Sequence, residues 1–140
     1  MESPNTIYID TSEIPKEAYA VAVRCSHRLN VPAWLILAIG RHESKDGLLM
    51  IGDSGEIGYM QILPATGAAY GYNRKQLRQL ALNIECAAKI LADYLDQYDG
   101  NIAATIAAYN KGRAIVIHGK YKNQEYVDKV YAALNELRGK

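Results

Sequence analysis

Phenylalanine is missing from this sequence, tryptophan occurs once, and the 140 residues include only two cysteines, four prolines and three histidines. Each shortage narrows the chemistry. No Cys-x-x-Cys pair exists, and His27, His42 and His118 do not fall at the close helical spacings of a zinc motif, so neither a metal nor any other cofactor is expected. Cys25 and Cys86 lie far apart on two separate predicted helices, a pattern that fits two buried thiols as well as one disulfide, with the thiols slightly favoured. An excess of one charge is lacking too. Sixteen Lys and Arg against fifteen Asp and Glu leave a formal net charge of +1, which argues against an electrostatic grip on nucleic acid. The longest apolar run, Ala33 to Ile39, is far shorter than the ~20 residues of a membrane-spanning helix, so no integral membrane segment is expected. Met1-Glu2-Ser3-Pro4-Asn5 shows neither the basic leader nor the apolar stretch of a secretion signal. Repeats and low-complexity tracts are also absent.

What remains is helical period. The length suits one domain, residues 1–140, with residues 1–12 read as an extended arm ahead of it because they show no helical pattern. Pro15 suits a helix start, and Ala18, Ala22, Cys25 and Leu29 then share one stripe. Pro32 repeats the start signal, and the run Ala33–Ile39, apolar on every face, predicts a helix through the core that emerges at Gly40-Arg41-His42-Glu43-Ser44. Four glycines (Gly47, Gly52, Gly55, Gly58) disfavour helix beyond it, so the only strand-like or irregular structure is expected near residues 46–62. Short helices follow from Pro64 to near Gly71 and from Asn73 through Leu80. Asn83 reads as the cap of a longer helix through Tyr98, ended by Gly100, and Asn101 starts another through Tyr109. Gly112 and Gly119 bracket a further short helix, and Asn123 leads into a last one carrying Val127, Val130, Leu134 and Leu137. The fold class is therefore all-α or predominantly α.

Three segments break this amphipathic logic: Glu43-Ser44, then Gly58-Tyr59-Met60-Gln61-Ile62-Leu63-Pro64-Ala65-Thr66, then Ala107-Ala108-Tyr109-Asn110-Lys111-Gly112. In this order they resemble the signatures of the lytic transglycosylase family: Glu-Ser, Gly-Leu-Met-Gln-Ile-x-Pro-x-Thr and Ala-Tyr-Asn-x-Gly. The likeness extends over roughly residues 18–135 and includes Tyr126-Val127, which matches a late Tyr-Val pair. It implies a goose-type lysozyme-like fold and an enzyme acting on peptidoglycan glycan strands. Glu43 takes the place of the catalytic acid, and Ser44, Gly58, Tyr59, Met60, Gln61, Tyr109, Asn110 and Tyr126 take those of substrate-binding residues. The eleven tyrosines suit a carbohydrate groove.

A lone carboxyl suffices for this chemistry. Most glycosidases pair an acid with a second carboxylate. The family resemblance implies instead that one Glu protonates the leaving oxygen and then deprotonates the muramic acid's own C6 hydroxyl, closing a 1,6-anhydro ring. Glu43 must then stay protonated near neutral pH, which burial at the end of an apolar helix favours. Two departures from the family pattern stand out. Tyr59 replaces the usual Leu, and Gly52 stands where a Ser is common, in a segment that adds Asp53 and Glu56. Solvated loop acids are the favoured reading of both. If Asp53 or Glu56 faced Glu43 across the cleft, the chain would be a hydrolytic lysozyme instead. A non-catalytic peptidoglycan-binding module of a secretion, conjugation or phage machine is the rival from another class, and the intact Glu43 counts against it. The substrate implies a periplasmic, extracellular or virion-associated setting.

Overall fold

Pro15 and Pro32, with φ of −54° and −58°, stand immediately before the two helices that organise the chain. Their rings fix the backbone angle and remove N–H groups that a helix start cannot use. In the computed structural model, which describes residues 7–47 and 51–139, these helices are α1 (Lys16–Leu29) and α2 (Ala33–Ser44). They are followed by α3 (Pro64–Ala69), α4 (Arg74–Leu77), α5 (Leu80–Gln97), α6 (Ile102–Lys111), a hairpin of β1 (Val116–Ile117) and β2 (Lys120–Tyr121), and α7 (Gln124–Leu137). The fold is predominantly helical, as the periodicity predicts.

The helix α2 is the hub. Trp34 through Gly40 are all buried, because α1, α5 and α7 all pack against it. A helix apolar on every face has no surface to give to water, so it is stable only when surrounded. Its end is well defined. Ser44 is buried and its hydroxyl returns to the Gly40 carbonyl at 2.9 Å, while Lys45 turns left-handed at φ 52° and donates its N–H to Arg41. Cys25 on α1 and Cys86 on α5 are free buried thiols. Burial pushes both upward in pKa, Cys86 to about 11.

Three sequence expectations give way. First, Asn83 does not cap α5 but lies inside it, fully buried, accepting from the Met60 N–H at 2.8 Å and donating to the carbonyls of Ile57 and Leu77 at 2.8 and 2.9 Å. Second, no helix spans 112–119. His118 and Gly119 both have positive φ, 52° and 79°, and join β1 to β2 in the two-residue turn that right-twisted hairpins favour. Third, the irregular segment expected near residues 46–62 is present, with two isolated antiparallel bridges among its described residues, Ile51 to Ile57 and Ile57 to Ile62, but it does not hold the only strand-like structure, because β1 pairs with β2; residues 48–50 lie outside the described chain. In the arm, residues 11–13 form a single 3-10 turn capped by Asp10, and the Asp10 N–H donates to the Leu137 carbonyl at 2.7 Å. Ile7 and Ile9 pack against the core.

Candidate active site

The last turn of α2 carries Glu43 out of the core to the edge of a cleft of about 320 Å³. The walls come from parts of the chain distant in sequence: Glu56 and Gln61 from the irregular segment, Thr66 from α3, Tyr94 from α5, and Tyr109 and Asn110 from the end of α6. From α7, Tyr126 donates its hydroxyl to Glu43 Oε2 at 2.6 Å, and its ring meets the His42 imidazole edge to face at 5.1 Å.

Burial raises the Glu43 pKa, the Tyr126 hydrogen bond opposes this by favouring the carboxylate, and the negative charge of Glu56 raises it again. The cations beside Glu43 in sequence do not offset this. Arg41 is drawn to the far side, pairing with Asp46 at 3.1 Å and Glu136 at 3.4 Å, and Lys45 opens onto that same side. Burial also holds the Tyr109 and Tyr126 phenols well above their ordinary values, so both stay protonated donors. Burial, with Lys129 and Lys45 nearby, lowers His42 and favours its neutral form.

The structure divides the expected site residues into two groups. Glu43, Gln61, Tyr109 and Asn110 line the cleft and Tyr126 touches Glu43. Ser44, Gly58, Tyr59 and Met60, expected as substrate contacts, are interior. Tyr59 is 1% exposed, its ring packs so tightly on α2 that a side-chain carbon at Gly40 would collide with it, and its hydroxyl donates to Asp46 at 3.0 Å. Met60 is wholly buried, and its backbone carbonyl accepts the Tyr109 hydroxyl at 2.8 Å. Gly58, at φ 79°, turns the chain where a side-chain carbon would meet Asn83 and the Leu77 carbonyl. These residues work as scaffold. Gly58, Tyr59 and Met60 shape the loop at residues 57–62, in which Gln61 has φ 51° and its side-chain amide donates to the Gly58 carbonyl at 2.9 Å. The Tyr-for-Leu departure therefore alters the packing beneath the cleft rather than its wall.

Glu56 corrects another expectation. Asp53 is exposed and lines no part of the cleft, but Glu56 does line it and accepts the Ser54 N–H at 2.8 Å. Gly52 makes room: a side-chain carbon there would lie 2.8 Å from Glu56 Oε1 and run into Gln61 Oε1. Thr66, Tyr94 and Lys111 also line the cleft without having been singled out as site residues. Thr66 lay within the second motif, whereas nothing in the helical pattern of α5 distinguishes Tyr94.

Comparison with known families identifies the domain that carries this cleft. A model of the transglycosylase SLT domain matches residues 21–132, most of the chain and every wall of the cleft. The chain belongs to the transglycosylase SLT family. An X-ray structure of an inactive glutamate-to-glutamine mutant of the lytic transglycosylase Slt from Pseudomonas aeruginosa matches with a TM-score of 0.71 at 22% identity. That likeness supports the lysozyme-like fold. It covers 89% of this SLT chain but only 24% of the Pseudomonas chain, so the chain spans about a quarter of that protein's length. Among the described residues of this SLT domain, no three His, Cys, Asp or Glu side chains gather as metal ligands would, and no helix is long and apolar enough to cross a membrane.

Proposed function

We propose that this domain is a peptidoglycan lytic transglycosylase that cleaves the β-1,4 bond between N-acetylmuramic acid and N-acetylglucosamine and leaves 1,6-anhydro-muramic acid ends. The observation that carries the reading is Glu43, a carboxyl held toward its protonated form at the edge of a cleft and hydrogen-bonded to a neutral phenol. Glu43 gives its proton to the departing glycosidic oxygen as the C1–O bond breaks. The resulting carboxylate then takes the proton of the C6 hydroxyl as O6 bonds to C1, which restores the acid. No water enters the balance. The Tyr126 hydroxyl supports the carboxylate between the two steps, and Gln61 and Asn110 offer amide groups to the sugars' acetamido and hydroxyl groups.

Glu56 supports a second reading, because it shares the cleft with Glu43. A carboxylate there can orient water, which would make the domain a muramidase cutting the same bond by hydrolysis. Product mass separates the two. Digestion of purified sacculi yields anhydro ends, each lighter by one water, if the leading reading holds; reducing ends reject it in favour of hydrolysis. Release of no soluble fragments, with Glu43→Gln changing nothing, would instead leave a glycan-binding module of a secretion, conjugation or phage machine. A periplasmic, extracellular or virion-associated setting follows from the substrate.

A further inference from the structure

The hairpin of β1 and β2 is fastened at its base and bare at its tip. The Ala114 N–H donates to the Tyr98 hydroxyl at 2.8 Å, the Lys122 N–H donates to the Ile115 carbonyl at 2.7 Å, and Tyr121 packs against the core. Beyond that base, Val116 is 61% exposed and Ile117 49%. Neighbouring strand residues point to opposite faces of a ribbon, so each face of this one offers an apolar side chain to solvent. Among the described residues, the other large exposed hydrophobics, Tyr8, Tyr19, Ile51 and Leu63, stand singly along the chain, which is ordinary for a protein surface.

Positive charge collects on the same segment. Residues 100–124 hold Lys111, Arg113, Lys120 and Lys122 and no Asp or Glu, which leaves twelve cations against fifteen acids in the rest of the chain. None of the four has an ion-pair partner among the described residues. Lys120 stands directly across from Ile117 in the strand register, so its methylene stem can follow the isoleucine while its ammonium reaches back toward polar groups.

We propose that this hairpin docks the domain on an anionic lipid surface, with Val116 and Ile117 entering the headgroup boundary and the flanking cations meeting lipid phosphates. Two observations favour lipid over a protein partner. A protein surface covers one face of a ribbon and leaves the apolar side chain of the other in water, whereas a tip that enters an interface buries both. The cations lie on both sides of the apolar pair in sequence, which sets positive charge at headgroup level as the tip goes deeper. The inference stands apart from the proposed cleavage. Lys111 and Gly112, where α6 gives way to the hairpin, line the cleft, so docking at the tip holds the cleft close to the lipid.

The test is flotation with vesicles of phosphatidylcholine alone or mixed with phosphatidylglycerol, for the wild type, Val116→Ser/Ile117→Ser, Val116→Leu/Ile117→Leu and Arg113→Gln/Lys120→Gln. The wild type is expected to float with the mixed vesicles at low salt and not with the neutral ones. The glutamine pair should weaken binding about 25-fold, near fivefold for each cation. The serine pair should weaken it about tenfold or more, and the leucine pair should keep it. Insertion is read from Ile117→Trp, because the one native tryptophan, Trp34, is only 5% exposed. Its emission should move to shorter wavelength on mixed vesicles and be quenched by brominated lipid. All the substituted side chains are exposed, so melting temperatures should hold and folded proteins are being compared. Absence of binding to the mixed vesicles overturns the inference. Binding that the serine pair retains, or an unshifted tryptophan emission, also overturns it, since either is adsorption by charge alone. Cleavage of lipid-free sacculi is measured separately, and its outcome bears on the proposed activity without touching the docking.

Discussion

Replacing Tyr126 with phenylalanine removes one oxygen from the site and leaves the ring. That oxygen donates to Glu43 Oε2 at 2.6 Å, the bond that favours ionised Glu43 against burial and against the charge of Glu56. A hydrogen bond to a charged group contributes about 1.5–3 kcal/mol. Without it the carboxylate loses its partner, whereas the protonated acid loses less, so ionisation of Glu43 moves to higher pH. If Glu43 must be protonated to cleave, the alkaline limb of the rate profile moves up in the Tyr126→Phe variant, by one pH unit for each ~1.4 kcal/mol. The ring contact with His42 does not involve the hydroxyl, so the neighbouring imidazole stays put. The assay is the initial release of soluble fragments from purified sacculi over a pH series for the wild type and the variant, with Glu43→Gln as the baseline. A limb that stays in place, or moves to lower pH, would refute the claim that Tyr126 governs the ionisation of Glu43.

Glu43→Gln itself should change stability with a definite sign. A raised folded-state pKa means that the stability linked to the proton is full below the ordinary glutamate value of about 4.3 and is lost as pH rises through the folded value, so the variant's gain in melting temperature should grow over that window and then level off. A pH-independent difference contradicts this. Asn83→Asp keeps an acceptor for the Met60 N–H but turns a carboxylate on the Ile57 and Leu77 carbonyls, at a cost of about 3 kcal/mol or more; an unshifted urea midpoint counts against it. Gly40→Ala pushes a methyl into the buried Tyr59 ring and should cost about 1–3 kcal/mol in the same measurement, whereas a neutral outcome would mean that the ring can retreat. Gly52→Ser meets only the far ends of the Gln61 and Glu56 side chains, whose hydrogen bonds to the Gly58 carbonyl and the Ser54 N–H it would disturb, so the melting temperature should fall only slightly while cleavage falls about tenfold to a hundredfold; a large loss of stability with retained activity reverses that assignment.

The sequence and the structure agree where local physics decides and part where tertiary contacts do. Pro15, Pro32 and Asn101 mark helix starts through their own backbone or side-chain chemistry, and the helices begin beside them. Asn83 carries the same local signal as Asn101. Asn101 caps a helix, donated to by the Ala104 N–H at 3.0 Å, while Asn83 is drawn inside α5, where the neighbouring turn presents the Met60 N–H and the Ile57 carbonyl to its side chain. Nothing within a few residues of Asn83 announces that turn. The stretch between Gly112 and Gly119 misleads for a related reason: glycines end helices and also make hairpin turns, and the β-branched Val116-Ile117 pair was the cue for the second.

The motif residues were legible as a set but not in their roles. Family spacing groups Ser44, Gly58, Tyr59 and Met60 with Glu43, Gln61 and Tyr109, and only the fold separates those that line the cleft from those that shape it. The loop at residues 57–62 is held from three sides: Asn83 of α5 bonds Ile57 and Met60, Tyr109 of α6 bonds the Met60 carbonyl, and the Tyr59 ring lies against Gly40 of α2. Gln61 thereby sits at the cleft beside Glu43 although its own motif is mostly buried. Tyr109 belongs to both groups, since one face of its role is the scaffold bond to Met60 and the other is a neutral phenol at the cleft. Glu56 enters by a different route. Its place at the cleft depends on the missing side chain at Gly52, a feature that has meaning only once the chain has folded back on itself. A loop acid thus becomes part of the electrostatics of Glu43, and whether it only holds the proton there or also directs water depends on the same few ångströms that Gly52 keeps open.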